Sequence, residues 1–496
     1  MNQTKSPVLT SLLLACAVSA GCASPGYRPA NLTPPPVTCE FRGVWVATVD
    51  NIDWPSKKDL STAEQKAELL AIIEGAARLK LNAIIFQVRP QCDAIYPSQL
   101  EPWSEFLTGQ MGRAPQPAWD PLAFAIEESH RRGIELHAWF NPYRALHPAA
   151  KGPVSANHVS RTRPQLVRSY GKYLWLDPGE REVQDYSLAV VMDVVKRYDV
   201  DGIHFDDYFY PYKEKSGDQE ISFPDDASWN RFGAGGKLSR EDWRRENVNQ
   251  FVERVGKSVH AAKPWVKFGI SPFGIWRPGN PPQIKGYDAY EKLYADSRKW
   301  LRDGSVDYFA PQLYWGIESR DQSFPVLLNW WNEQNPKQRH IWPGLATSKL
   351  AESWKAEEII RQIRLAEKQP VSAGNIQYSV KHILRSSELQ SALARDAYAD
   401  AALPPACPWL QGAPAKPQLK IIAGESSAKL NWQIAPGEKI FAWVVQLQRD
   451  GKWSTRILSG ERQSFILDGA LPEAIALTAV SRAGVASKPE VQKLSK

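Results

Sequence analysis

A (β/α)₈ TIM barrel followed by a small all-β sandwich is the fold predicted by three observations. Between two proline-rich passages, eight short apolar segments alternate with longer amphipathic patterns, the rhythm of parallel strands joined by crossover helices. Helix-to-strand joins are brief ("KLN", "RRG", "DGS"), whereas strand-to-helix joins are long, roughly 91–119, 145–180, 210–239 and 276–290. Long loops therefore gather at the carboxyl ends of the strands, where barrels build their sites. After residue 417 the texture changes to short alternating segments separated by turn signals, which reads as a sandwich.

The elements follow in order. Residues 1–22 read as an export signal: Lys5 supplies the positive region, "VLTSLLLACAV" the apolar core, and "SAGC" ends it at Cys22. The apolar run is too short to span a bilayer permanently. "SAGC" resembles a lipobox, with Ser19 where an aliphatic residue is usual, so Cys22 is the expected lipidation site and membrane anchor. Residues 23–38 read as a proline-rich tether, 39–403 as the barrel, 404–417 as a second proline-rich linker and 418–496 as the sandwich.

Within the barrel the expected strands are 41–49, 83–90, 135–144, 200–209, 267–275, 306–315, 340–347 and 374–380. A helix is expected over 62–81. Another spans 120–133, with Asp120 as cap, Pro121 in the first turn and Gly133 as stop. Cys39, Cys92 and Cys407 show no CxxC spacing, and Cys39 and Cys407 flank the barrel closely enough in a closed fold for a disulfide.

The composition is that of a globular protein: 496 residues, 43% hydrophobic and 23% charged. A net charge of +7 without Lys/Arg runs gives no basis for a nucleic-acid partner. The 20 Trp and 17 Tyr are a high count; large aromatics are usually core, and an excess near a cleft also suits stacking on sugar rings. No GxSxG elbow, Cys/His pairing or phosphate-cradling glycine loop is present, and no metal or cofactor is expected.

Alternation along each strand sorts inward from outward positions. Ile203 and Phe205 face the helices, so Gly202, His204, Asp206 and Tyr208 face the axis. The same test sends Gln87 and Arg89, then His137, Trp139, Asn141 and Tyr143, inward. It also sends in Ser271, Gln312, Tyr314, Asn375 and Gln377. Among these Asp206 is the only carboxylate. Asp207 falls on outward parity unless the strand ends or bulges there. Glycoside hydrolysis needs an acid and a second group. Asp206 is one candidate catalytic residue. The second is Asp207, a loop acid (Asp50, Asp53, Asp93, Asp177 or Asp288), or the substrate itself. Arg89, Asn141, Tyr143, Tyr208, Gln312, Tyr314, Trp315 and Gln377 would shape the sugar-binding subsites.

"FRGVWVATVDNIDWP", "HAWFNPYR", "LDPG", "VDGIHFDDYFYP", "FGISPFGIWR" and "APQLYW" together resemble the glycosyl-hydrolase-like 10 family of bacterial barrel proteins, many of them lipoproteins. The resemblance runs from about residue 40 to 400. It implies an envelope glycosidase acting on amino-sugar strands, nearest to members that cleave peptidoglycan stripped of its stem peptides. It also implies a lipid-anchored place on the periplasmic face of the outer membrane. The added sandwich, whose "TAVSRAGVAS" resembles a fibronectin type III ending, is expected to act in spacing or in binding, with a cell-wall or division protein as the candidate partner, and not in catalysis. "DGIHFDDY" also resembles the chitinase-type DGxDxDxE strand, with Asp201 and Asp206 at its acids and His204 and Tyr208 at the remaining two. In those enzymes the substrate's acetamido group attacks its own anomeric carbon. A glycan-binding protein without turnover, and a hydrolase of another exopolysaccharide, are the alternatives.

Overall fold

A computed structural model describes residues 26–371, 373–424 and 426–495; the signal and Cys22 lie outside the described residues. The barrel strands are β1 (Glu40–Val46), β2 (Ala83–Arg89), β3 (Glu135–Phe140), β4 (Gly202–Phe205), β5 (Lys267–Ile270) and β6 (Tyr308–Phe309), then β7 and β8 (Ala373–Gln377). β7 runs as two short pieces, His340–Ile341 and Gly344–Leu345. Neighbours pair in parallel in chain order. The first piece of β7 pairs with β6, the second with β8, and β8 returns to β1, which closes the barrel. Pro343 sits between the two pieces, where it has no N–H to donate, and its carbonyl accepts from the Ile376 N–H (3.0 Å).

Local signals set the helices. α1 (Thr62–Arg78) starts at a Ser61/Glu64 capping box. α2 (Pro121–Arg131) starts at Asp120, whose carboxylate accepts from the Leu122 and Ala123 N–H groups, and the chain turns at Gly133 with φ +69°. α3 (Arg181–Arg197) and α4 (Arg240–Ala262) follow β3 and β4 across the long loops.

Two apolar layers result. Leu136, Ala138 and Phe140, Ile203 and Phe205, and Phe268 and Ile270 pack outward under the helices. Phe41, Trp45, Ile85, Trp139, Tyr308, Trp342 and Ile376 fill the barrel interior. Strand parity therefore holds for β3 to β5, and for β2 as far as Gln87. It reverses on β8: Ile376 and Tyr378 belong to the interior cluster, whereas Gln377 and Asn375 both bond the Tyr398 hydroxyl (2.9 Å each) beyond the strands.

The second unit holds two antiparallel sheets. One orders β9 (Gln418–Ala423), β10 (Ser427–Gln433) and β13 (Ser464–Asp468). The other contains β11 (Ile440–Arg449), β12 (Lys452–Ser459), β14 (Ala474–Ser481) and β15 (Glu490–Ser495). Trp432, Trp443, Val445 and Leu477 pack between them.

Two expectations are corrected here. The proline-rich stretch is not a free tether: Gly26–Pro29 adds a strand to β15, and the Pro35 carbonyl accepts from Gln446 Nε2 (2.9 Å). Residue 39 does bridge to Leu403 as barrel ends should, but Cys39 and Cys407 are both free. The three residues between Leu403 and Cys407 carry the latter's buried thiol to the barrel floor beside Lys267, while Cys39 stays exposed.

The sandwich is tied to that floor. Arg482 bonds Asp201 Oδ1 through Nη2 (2.7 Å) and Nε (3.0 Å), and Asp199 through Nη1 (2.8 Å). His130 at the end of α2 holds the other Asp201 oxygen (2.8 Å). Among the described residues no helix is long and apolar enough to cross a membrane.

Candidate active site

β4 ends at Phe205, earlier than its apolar pattern. Asp206 keeps the inward parity and lines a bowl of about 270 Å³ at the carboxyl end of the barrel. Trp45, Trp139, Tyr208, Tyr314 and Tyr378 form its aromatic wall; Gln87, Ser271 and Gln312 supply polar edges; Arg144 and His147 close one corner. Tyr314 and Tyr378 stack at 6.0 Å, with Trp45 edge-on to Tyr378. Asp206 is the only carboxylate among the lining residues.

A relay of amides orients that carboxylate. The Thr48 and Val49 N–H groups both donate to Gln87 Oε1 (2.9 Å), so Gln87 Nε2 points to Asn141 Oδ1 (2.7 Å). Arg144 Nη2 donates to the same oxygen (2.8 Å), which leaves Asn141 Nδ2 facing Asp206 Oδ2 (3.4 Å). Gln312 Nε2 (3.3 Å) and the Asp207 N–H (2.9 Å) reach Asp206 Oδ1. N–H donors thus hold both carboxylate oxygens.

Because the strand has ended, Asp207 escapes the outward parity. Its side chain is buried behind Asp206, accepts a short hydrogen bond from the Tyr212 hydroxyl, and lies against the Asp206 carboxylate. Burial first, then the neighbouring Asp206 charge, push Asp207 well above the usual carboxylate range. Asp207 thus keeps its proton to higher pH than an ordinary carboxyl.

The other expected residues divide. Tyr208, Gln312 and Tyr314 line the bowl, and Asn141 touches Asp206 from beneath it. Arg89 is not brought there. A register shift after Gln87 turns it into a buried ion pair with Glu101. Tyr143 lies past the end of β3, and its ring packs on Phe251. Trp315 packs on Phe273, and Gln377 faces Tyr398. None of the loop acids lines the bowl. Asp53 ties the loop after β1 to Ser379 (2.6 Å), Asp93 is buried beside Gln91, and Asp177 pairs with Arg168. Asp288 caps a short helix, and Asp50 is an exposed turn residue. Asp201, matched above to a chitinase acid, sits at the opposite end of β4 in its ion pair with Arg482.

Trp45, Arg144, His147 and Tyr378 were not among the expected binding residues. The alternation of Phe41, Trp45 and Ala47 against Val44 and Val46 would have placed Trp45 inward by the same test.

Residues 40–360 match the family model described as "Glycosyl hydrolase-like 10". The chain belongs to the glycosyl hydrolase-like 10 family. It is 42% identical over 443 residues to "Glycosyl hydrolase YngK" of Bacillus subtilis, covering 86% of each chain. It is 33% identical over 419 residues to "Glycosyl hydrolase DigH" of Escherichia coli, covering 77% of this chain and 94% of that one. The solved glycoside hydrolase domain of PgaB (BpsB) from Bordetella bronchiseptica aligns with a TM-score of 0.46 and 14% identity, over 72% of this chain and 98% of that one. As a glycosyl hydrolase-like 10 member the chain is a glycoside hydrolase, and the bowl is its candidate active site.

Proposed function

We propose that this enzyme cleaves amino-sugar glycan strands, with peptide-free peptidoglycan as its substrate. The observation that carries the reading is Asp206, the single carboxylate lining an aromatic bowl, with the buried Asp207 against it raised well above the usual carboxylate range. Asp206 contacts the glycosidic oxygen and passes it the proton relayed from Asp207; the glycosidic C–O bond breaks, the leaving sugar departs as an alcohol, and water adds to the anomeric carbon and returns a proton to the pair. The aromatic wall stacks on the sugar faces. The choice of amino-sugar strands rests on the sequence resemblance and the export signal.

Purified mature protein incubated with peptide-free strands, intact peptidoglycan and an exopolysaccharide panel provides the test. Shortened oligosaccharides are expected from the peptide-free strands first. Cleavage confined to an exopolysaccharide would replace the substrate and keep the chemistry.

The lipobox-like Cys22 would hold the enzyme at the periplasmic face of the outer membrane, where the sandwich would meet cell-wall or division proteins. Cys22→Ser is expected to move the protein from the membrane fraction to the soluble periplasm. Unchanged fractionation would reject the anchor.

A further inference from the structure

Six arginines are buried to below a tenth exposure: Arg42, Arg89, Arg144, Arg244, Arg245 and Arg482. Five hold a carboxylate. Arg42 pairs with Glu40, Arg89 with Glu101, Arg244 with Asp225, Arg245 with Asp242 and Arg482 with Asp201. Arg144 is the exception, with no ion pair to any carboxylate among the described residues.

Its partners are neutral. Nε and Nη2 donate to the Pro90 carbonyl (2.9 and 2.7 Å), Nη2 also donates to Asn141 Oδ1 (2.8 Å), and the guanidinium lies 5.1 Å from the Tyr208 ring centroid. These contacts fix the guanidinium plane without cancelling its charge. Nη1 makes no hydrogen bond among the described residues. Burying a cation without a counter-charge is costly, and a guanidinium is built to grip a carboxylate. Arg144 lines the bowl one amide away from Asp206, because Asn141 accepts from Arg144 and donates to Asp206. His147 beside it is held down to about 4, by burial first and then by Arg144, Lys172 and Lys151, so this corner of the bowl is electropositive while His147 itself stays neutral.

We propose that Arg144 is a specificity residue that binds a carboxylate carried by the sugar next to the cleaved bond. This rests on the glycosidase reading above and sharpens it. Removing the stem peptide from a muramic-type sugar converts an amide, which Arg144 cannot neutralise, into a free lactyl carboxylate, which it can. An uronic acid presents the same group from a different position.

The experiment changes the substrate before it changes the protein. Peptide-free strands, the same strands with their carboxyls reduced to alcohols, and an uronate-containing polymer are offered to wild type, Arg144→Lys and Arg144→Met. Wild type is expected to lose about 10- to 100-fold in kcat/KM on carboxyl reduction, the scale of a charge-assisted hydrogen-bonded pair. Arg144→Met is expected to treat intact and reduced strands alike, and Arg144→Lys to fall between. Equal wild-type rates on intact and reduced strands overturn the proposal and leave the glycosidase reading standing. Carboxylate-dependent cleavage of the uronate polymer alone keeps Arg144's role and overturns the peptidoglycan reading. If no polymer is cut, calorimetric binding of intact and reduced oligomers to Asp206→Asn still decides. A carboxylate preference that Arg144→Met abolishes supports the proposal, and no preference ends it.

Discussion

Asp206→Asn is expected to lower glycan cleavage by roughly 10⁴-fold while the protein stays folded and still binds its oligosaccharide. The size of the effect follows from isolation. No other residue lining the bowl carries a carboxylate, so nothing at hand replaces it. Asn141, Gln312 and the Asp207 N–H all point donors at the carboxylate, and an asparagine there turns one acceptor oxygen into a competing donor. A rate assay on peptide-free strands, paired with calorimetric binding of the same strands, separates lost chemistry from lost affinity. Retained turnover in this variant would remove Asp206 from the mechanism.

Asp207→Asn tests the second half of the pair through pH. Asp207 is raised well above the ordinary carboxylate value of about 3.9, by burial first and by the Asp206 charge second. In wild type the proton needed by the leaving oxygen is present below the pair's upper value, so activity falls as pH rises through it. Stability follows the same sign. A group whose folded value is raised contributes fully below its unfolded value, and that contribution fades as pH climbs through the folded value. Asp207→Asn is therefore expected to remove the alkaline loss of activity along with most of the activity. It should also raise stability relative to wild type at pH 8, read as a higher urea midpoint. A wild-type alkaline limb that persists unchanged in the variant assigns the titration elsewhere.

The strand rhythm, the loop asymmetry and the inward parity of Asp206 were legible because they depend on neighbours a few residues away. Parity fails where a strand stops being a strand. Arg89 lies past a register shift, Tyr143 past the end of β3, and Asp207 past the end of β4, where each side chain turns to partners that alternation does not constrain. On β8 the assumption that amides face the polar mouth failed for another reason. Tyr398, more than twenty residues on, bonds one polar atom each of Asn375 and Gln377 on the helix side. Asp201 shows the limit of motif matching. Its place in a chitinase-like pattern is local, whereas the Arg482 that makes it structural comes 281 residues later. The proline-rich stretch hid a strand for the same reason, since Gly26–Pro29 is ordered by β15 at the far end of the chain.

The barrel floor carries the largest expected effect on stability. Lys267 and Glu135 are both fully buried and pair at 2.6 Å. Burial alone would pull Lys267 down, but its acidic neighbours, Glu135 foremost, more than offset it and the net shift is upward, so the lysine stays charged. Above the pair runs a hydrogen-bonded file whose proton directions can be read off. The Trp45 indole donates to His204 Nε2 (3.2 Å), so the neutral His204 carries its proton on Nδ1 and donates to the Tyr308 hydroxyl (2.9 Å). Tyr308 then donates to His137 Nδ1 (2.9 Å), and His137 Nε2 donates to Glu135 (3.0 Å). Every proton in the file points at one carboxylate, and Lys267 supplies its only full counter-charge in that file. Lys267→Met removes that charge and leaves Glu135 buried, at an expected cost of about 3–5 kcal/mol, measured by urea unfolding. The double variant Lys267→Met/Glu135→Gln keeps an acceptor for His137 without a charge, and is expected to recover much of the loss. If the single and double variants are equally unstable, the cost comes from packing and the floor is no electrostatic unit.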